Sequence, residues 1–362
     1  MMMPTQRFAL SRLSFASIDK HAVTAAARSL SSKIRAGSDQ AQSKNDFAYC
    51  VDLVQNRDRE TYLSGLLQPE SSRFAYFAIR SFNVELASIK DGSISRKVGG
   101  AQFEESGASM ALKLRIKWWR DALDQIYDQS DEGSSRPPPE DEFMASLSSS
   151  VWNNPVTRVL NDAIHEKHLT RRFLERLLEA READLDIRQL DTMDEVIDYS
   201  ESIFSSLFYL SLETADVREE ESDIVAYHAG IGVGLTTALR GALIRLAHGE
   251  CSIPKELLPG FPYHKFNEGD PQDLLTDDEK KILSEAIYFM AYEAKKHLSK
   301  ARELQTNVPK HARQSFLPVI PSIHYLPKLE KADYNIFDPK LMEADRLTIL
   351  ALLSRSWLTG IF

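Results

Sequence analysis

The chain has 362 residues, of which 43% are hydrophobic and 27% are charged, and its formal net charge is −9. This composition is that of a globular protein with one large core or two medium ones. The negative net charge argues against nucleic-acid binding, because phosphate backbones are bound by clustered lysine and arginine. The two cysteines, Cys50 and Cys251, lie far apart with no Cys or His near them at metal-ligand spacing. A disulfide framework is therefore excluded, and structural zinc is disfavoured.

The first 44 residues differ in composition from the rest of the chain. They hold seven Lys or Arg and eight Ser but only two acids, Asp19 and Asp39, and the basic residues are spread among apolar ones. This pattern favours a mitochondrial targeting segment, cleaved within 28–44, over a secretory signal, which concentrates its charge before one apolar block. A plastid address fits the same composition, and a disordered tail without an address is the remaining alternative.

From Phe47 onward, apolar residues recur at intervals of three and four, the spacing that lines one face of an α-helix. Periodic segments begin near Phe74 and Leu112, and further ones cover about 155–182, 193–215, 221–248, 276–306, 311–326 and 343–358. The pattern predicts an all-α fold, a single bundle of about ten helices over residues 45–362. The polar, proline-containing stretch at 128–142 predicts a disordered loop.

No run reaches the roughly 20 uninterrupted apolar residues that a membrane span requires. The most apolar run, Ala229–Ala247, is interrupted by Arg240 and Arg245. We therefore expect any membrane contact to be peripheral. The apolar C-terminal segment from Leu347 onward has too few basic residues for an interfacial helix, which favours a last core helix over a membrane-contacting one.

Three segments carry a family resemblance. They are Trp118-Trp119-Arg120-Asp121, the run from Gly234 to Arg240 with Ile253-Pro254 beyond it, and the run from Phe77 to Ala87. In order and spacing they resemble the tryptophan-arginine helix, the leucine-threonine and leucine-arginine helix and the proline-containing loop of the squalene/phytoene synthase superfamily. The resemblance covers roughly 47–356. It implies the isoprenoid synthase fold, a bundle of helices around a deep, central apolar cavity.

The synthases ionise an allylic diphosphate, and the family holds the necessary magnesium ions on two Asp-x-x-x-Asp motifs of facing helices. A spacing of four puts both carboxylates on one helix face. The resemblance aligns Ala87 and Asp91 with the first motif and Gly241 and Arg245 with the second. Only Asp91 keeps a carboxylate, and the charge of Arg245 repels a cation. We therefore expect a pseudoenzyme with no catalytic residues, no metal and no cofactor.

Four arginines offer a role other than catalysis. They are predicted to line the cavity and comprise Arg80, Arg120, Arg240 and Arg245. Guanidinium groups there would bind an anion such as a diphosphate or a lipid headgroup, so a bound isoprenoid or lipid is one hypothesis. The alternative is structural ion pairing with Glu85, Asp121 or Glu182.

Within the superfamily, the chain more closely resembles the mitochondrial complex I assembly factor 6 family. The likeness lies in Tyr49-Cys50, Arg57-Asp58, the run from Phe82 to Ala87, the run from Asn335 to Pro339 and Ser356-Trp357. That family also lacks the aspartate pairs. The resemblance implies a protein on the matrix side of the inner membrane, bound peripherally, that assists assembly of NADH:ubiquinone oxidoreductase through its subunits or other assembly factors. The rival hypotheses are an active prenyltransferase that condenses isoprenyl diphosphates and a lipid-binding module.

Overall fold

The structure, a computed structural model, describes residues 38–98, 105–128, 150–262, 274–343 and 345–362, without the side chains of 38–41, 91–98 and 105–108. Thirteen α-helices and no β-strand lie in these ranges. The predicted all-α fold is confirmed, with thirteen helices in place of about ten. Residues 1–37 and 129–149, which hold most of the predicted targeting segment and loop, lie outside the described residues. Both therefore stay predictions.

The first six helices form the N-terminal half of the bundle. They are α1 Ser38–Arg57, α2 Arg59–Leu66, α3 Glu70–Val98, α4 Glu105–Asp128, α5 Pro155–Lys167 and α6 Arg171–Asp184. Their apolar faces enclose one core, in which Tyr76, Phe77 and Phe82 of α3 are fully buried. Because α3 packs against α1, α2, α4, α5 and α6, it is the central helix of this half.

The remaining helices form a second core. They are α7 Met193–Ser200, α8 Ser206–Thr214, α9 Glu220–Ala247, α10 Asp277–Glu303, α11 Ile320–Lys331, α12 Pro339–Met342 and α13 Arg346–Thr359. The Phe316 ring stacks between Phe208, at 5.3 Å, and the C-terminal Phe362, at 4.9 Å between ring centroids. The C-terminal segment is thus part of the core, as the sequence predicts. Leu63 and Phe204 pack against both cores and join the two halves.

Helix α9 is the described helix whose length and apolar composition match a membrane span, with a mean hydropathy of 1.2 over its most apolar window. Most of its apolar residues are instead buried against α10, α7 and the π-helical turn Glu201–Ser205. Two glycines permit the close approach. A Cβ atom at Gly230 would lie 2.3 Å from the Ser205 backbone nitrogen, and one at Gly234 would lie 2.4 Å from the Ser200 Cβ. Tight packing therefore explains these glycines.

Several predicted helices are interrupted. The 155–182 segment divides into α5 and α6 at His168, whose φ of 51° ends α5 in the left-handed region. The 193–215 segment is α7 and α8 with the π-helical turn between them. The 311–326 segment begins as a 3-10 helix, Lys310–Val319, which contains Pro318. Apolar periodicity persists through such breaks, and so it does not reveal them.

Two glycines of α9 provide a matched test of this packing. We expect Gly230→Ala to lower the free energy of unfolding by about 1–3 kcal/mol, because its Cβ overlaps backbone atoms that cannot shift freely. Gly241→Ala, on the same helix but with no atom within 4 Å of the added Cβ, should raise it by about 0.5–1 kcal/mol through helix propensity. Urea denaturation of both variants measures the difference. Equal effects would contradict this account of α9.

Candidate functional site

The two segments that resemble metal motifs lie on α3 and α9. Ala87 is partly buried on α3, and the Asp91 side chain lies outside the described residues. On α9, a Cβ atom at Gly241 would meet nothing within 4 Å. Packing therefore does not require glycine at 241, and the absence of a carboxylate there is a property of the sequence rather than a steric demand of the fold.

Ion pairs join α3, α6 and the end of α9. The Glu250 Oε2 atom lies 3.4 Å from Lys90 Nζ and 3.3 Å from Arg245 Nη1. Lys90 Nζ also lies 3.2 Å from Asp184 Oδ2 and donates to the backbone carbonyl oxygens of Asp184 and Ile187. The side chains of Lys90 and Glu250 are only 11% and 12% exposed. We call these four charged residues, Lys90, Asp184, Arg245 and Glu250, the ion-pair network.

Local backbone geometry places Glu250 in the network. Gly249 has a φ of 72°, in the left-handed region that favours glycine. The Glu250 N–H then donates to the Arg245 carbonyl oxygen at 2.9 Å. This reversal directs the carboxylate back toward the Arg245 guanidinium. A glycine just beyond an apolar helix is the sequence signal for such an ending.

The network differs in its electrostatics from a magnesium site. A hard divalent cation is held by several carboxylate or water oxygens, whereas the carboxylates of Asp184 and Glu250 are neutralised by Lys90 and Arg245. Within the described ranges, no group of three or more His, Cys, Asp or Glu is placed to hold a metal ion. What the network does is cross-link three helices through partly buried charges.

The four predicted arginines have different partners in the structure. Arg120 Nη2 lies 2.6 Å from Glu182, a partner that the sequence offers as the structural alternative. Arg240 makes a two-pronged pair with Glu60, at 2.7 and 2.8 Å, and lies over the Tyr325 ring. Arg245 belongs to the ion-pair network. Three of the four guanidinium groups therefore already contact a carboxylate of this chain.

Arg80 differs from the other three. It is 5% exposed, its guanidinium lies 5.1 Å from the Tyr76 ring centroid, and its Nε and Nη2 atoms have no acceptor among the described residues. Burial raises the pKa of Tyr76 to about 12, so the neighbouring phenol stays neutral. The buried Asn83 Oδ1 atom likewise has no donor. Because Arg80, Asn83 and Ala87 follow a spacing of three and four, these orphaned polar groups share one face of α3.

A cleft of about 700 Å³ opens beside the network, between the end of α6 and α7. Asp184 and Tyr199 form its inner wall, and the Tyr199 hydroxyl lies 3.4 Å from Asp184 Oδ2. Its rim carries more carboxylates than cations: Asp186, Asp191, Glu195 and Asp198 against Arg188 and Lys255. This cleft therefore disfavours an anionic ligand. The central apolar cavity that the resemblance implies stays a prediction.

A family model described as squalene/phytoene synthase matches residues 54–350. Two solved structures have the same fold. A squalene synthase from Alicyclobacillus acidocaldarius has a TM-score of 0.60 and 17% identity, covering 82% of this chain and 97% of the other. A dehydrosqualene synthase solved with a ligand has a TM-score of 0.61 and 18% identity, covering 88% and 99%. At such identities the likeness shows the fold alone.

Three relatives carry a more specific name. A Bos taurus protein named NADH dehydrogenase (ubiquinone) complex I, assembly factor 6, is 31% identical over 324 residues, 90% of this chain and 85% of that protein. The Homo sapiens protein of that name is 30% identical over 309 residues, which are 85% of this chain and 81% of that protein. The Dictyostelium discoideum homologue is 32% identical over 298 residues, 81% and 72%. The chain belongs to the complex I assembly factor 6 family, within the squalene/phytoene synthase family.

Both resemblances predicted from the sequence are thus confirmed. The assembly factor 6 relatives match nearly the whole described chain, and the synthase match includes α3 and α9. This member of the assembly factor 6 family therefore keeps the synthase fold and places the ion-pair network between the two helices that carry Ala87 and Gly241.

Sequence reasoning missed the anionic half of the network. Asp184 lies in the run Arg181-Glu182-Ala183-Asp184-Leu185, which also resembles the synthases, and Glu250 follows the helix-ending Gly249. Lys90 directly precedes Asp91. Each residue is thus close to a recognised motif, but their approach is a contact between distant parts of the chain. No local pattern reports such a contact.

The ion-pair network predicts a stability effect at Glu250. We expect Glu250→Gln to lower the free energy of unfolding by about 2 kcal/mol, because it leaves two partly buried cations short of one negative charge. Asp191→Asn is the matched control, since its pair with Lys255 is more than half exposed and should contribute at most about 1 kcal/mol. Thermal or urea denaturation compares the two, and equal losses would contradict a stabilising network.

Proposed function

We propose that this chain acts in the assembly of respiratory complex I, NADH:ubiquinone oxidoreductase, and that it does so without prenyl-transfer chemistry of its own. The first half of the proposal rests on relatives named for complex I assembly that match 81–90% of this chain. The second half rests on one observation, the pairing of Glu250 with both Arg245 of α9 and Lys90 of α3.

The absence of turnover follows from charge. Ionising a diphosphate requires cations that neutralise the leaving group, and these cations need carboxylate ligands. At the positions that resemble the second motif, this chain offers Gly241, which has no side chain, and Arg245, which carries a positive charge. Of the four aligned positions, only Asp91 holds a carboxylate. One carboxylate cannot organise a magnesium cluster.

The place of action belongs to the same proposal. The spread of basic residues through the first 44 positions is typical of a mitochondrial targeting segment. The apolar helix α9 is mostly buried, which argues against a spanning helix. The peripheral position at the matrix face of the inner membrane is what the family resemblance implies. Contacts with complex I subunits or other assembly factors would then be made from the matrix side.

Disruption of the gene tests the assembly role. Native-gel separation of respiratory complexes should show selective loss of complex I in the disrupted cells. Expression of the wild-type chain should restore complex I. The mature N-terminus of that chain should lie within 28–44. Asp91→Asn should restore complex I equally well, because the proposal gives that last aligned carboxylate no catalytic duty. Intact complex I in the disrupted cells would refute the assembly role. Magnesium-dependent turnover of farnesyl diphosphate that Asp91→Asn abolishes would establish the rival prenyltransferase.

We further propose that the assembly factor retains a lipid or isoprenoid whose anionic headgroup is bound at Arg80. The two orphaned N–H donors of a guanidinium that is 5% exposed support this proposal, because a buried N–H donor without an acceptor is destabilising unless a partner satisfies it. Arg120, Arg240 and Arg245 are less suited to this role, since each already contacts a carboxylate.

Ligand-induced stabilisation tests the role of Arg80. We expect farnesyl diphosphate or a phosphatidic acid dispersion to raise the melting temperature of the wild-type protein, and Arg80→Met to lose at least about 90% of that increase. Arg120→Met, which removes an exposed guanidinium, should keep it. An increase of equal size in Arg80→Met would leave Arg80 with a structural role only. The absence of any increase in the wild type would refute the bound ligand.

A further inference from the structure

The outer face of α10 carries large apolar side chains where a helix of a globular protein normally carries polar ones. Ile282, Tyr288, Phe289 and Tyr292 are 43–57% exposed. The inner face of α10 packs against α9 and α11. The Tyr334 ring lies against Tyr288 at the edge of the outer face, while Ile282 and Phe289 stay about half exposed. Apolar patches of this kind mark interaction surfaces.

The residues along this face have a regular spacing. Intervals alternate between four and three, the heptad spacing of a coiled-coil seam, through seven exposed positions: Asp278, Ile282, Glu285, Phe289, Tyr292, Lys296 and Ser299. We call this set the α10 stripe. It runs for about 30 Å at 1.5 Å per residue. Its centre is aromatic, with an acidic residue on the N-terminal side and a basic residue on the C-terminal side.

This charge order makes the α10 stripe complementary to itself. In an antiparallel pair of α10 helices with the two-fold axis between Phe289 and Tyr292, Phe289 of one copy faces Tyr292 of the other. Glu285 then faces Lys296, twice by symmetry. A parallel pair would instead oppose Glu285 to Glu285 and Lys296 to Lys296, which is repulsive. The charges therefore favour an antiparallel homodimer.

The α10 stripe borders a pocket, because Tyr292 belongs to both. Tyr288 and Tyr292 form one wall of a pocket of about 310 Å³, and Leu326, Pro327 and Tyr334 form the opposite wall on and just beyond α11. An apolar side chain that approaches the stripe is thereby buried rather than laid on a flat surface. Aromatic anchors in such pockets supply most of the binding energy at interfaces.

We propose that a second copy of this chain occupies the α10 stripe and forms an antiparallel, two-fold symmetric dimer. A bilayer fits the stripe less well, because anionic lipids would repel Asp278 and Glu285 and the chain has a net charge of −9. The proposal is independent of the function proposed above. Dimerisation predicts an interface and a register, both of which can be measured.

The oligomeric state tests the interface. Analytical ultracentrifugation of the full chain should give twice the 41.0 kDa chain mass, and Phe289→Glu combined with Tyr292→Glu should give monomers with an unchanged circular dichroism spectrum. Leu358→Glu, at a position on α13 that is 75% exposed, should leave the dimer intact. Monomers of the wild-type chain at every concentration, or a dimer that survives the double substitution, would refute the proposal.

Charge exchange tests the register. Glu285→Lys alone and Lys296→Glu alone should each raise the dimer dissociation constant about tenfold, while the double variant should return to within about threefold of the wild type.

Oxidative cross-linking adds a geometric check. A mixture of Glu285→Cys and Lys296→Cys chains should form a disulfide-linked dimer, and neither variant alone should do so. The native Cys50 and Cys251 are buried and do not interfere. Two outcomes would overturn the antiparallel register. One is a double variant whose dimer affinity falls by the sum of the two single losses, and the other is a disulfide-linked dimer formed by either cysteine variant alone.

Discussion

The close approach of α9 to the π-helical turn is the contact on which the rest of the structure depends. It exists because Gly230 and Gly234 place no side chain where the backbone and side chains of Ser205 and Ser200 lie. Backbone-to-backbone contact of this kind maximises dispersion interactions and leaves little freedom in the position of the helix. Since a helix is stiff, fixing the position of α9 at Gly234 also fixes the position of Arg245, which lies eleven residues and about 16 Å further along the helix.

The position of Arg245 then determines the character of the site. Lys90 of α3 and Arg245 of α9 both contact Glu250, and Lys90 also contacts Asp184. Without these carboxylates, the two cations would lie close together and repel each other. Partly buried ion pairs add little net stability compared with apolar packing, but removing one partner is costly. The network therefore acts best as a cross-link between helices. A fold shared with synthases does not by itself establish synthase activity here, because a fold does not determine chemistry.

Arg80 and the α10 stripe are two features that the described part of the architecture leaves unsatisfied. The guanidinium of Arg80 is buried with donors unused, and the aromatic side chains of the stripe, Phe289 and Tyr292, are more than half exposed. Both carry an energetic penalty in the isolated chain, the first through desolvation and the second through apolar exposure. A molecule that contacts either one relieves that penalty. The two features therefore indicate binding surfaces.

The sequence by itself determined the all-α class, the span of the long helices α9 and α10, the family, and the absence of a carboxylate at 87, 241 and 245. These follow from periodicity and residue identity, which are local properties. Only the tertiary structure decided that α5 ends at His168, that Arg120 and Arg240 pair with Glu182 and Glu60, and that Glu250 joins Lys90 to Arg245. The reason is physical. Ion pairs and helix approaches depend on which residues are close in space, and Lys90 and Glu250, which are in contact, lie 160 positions apart in the chain.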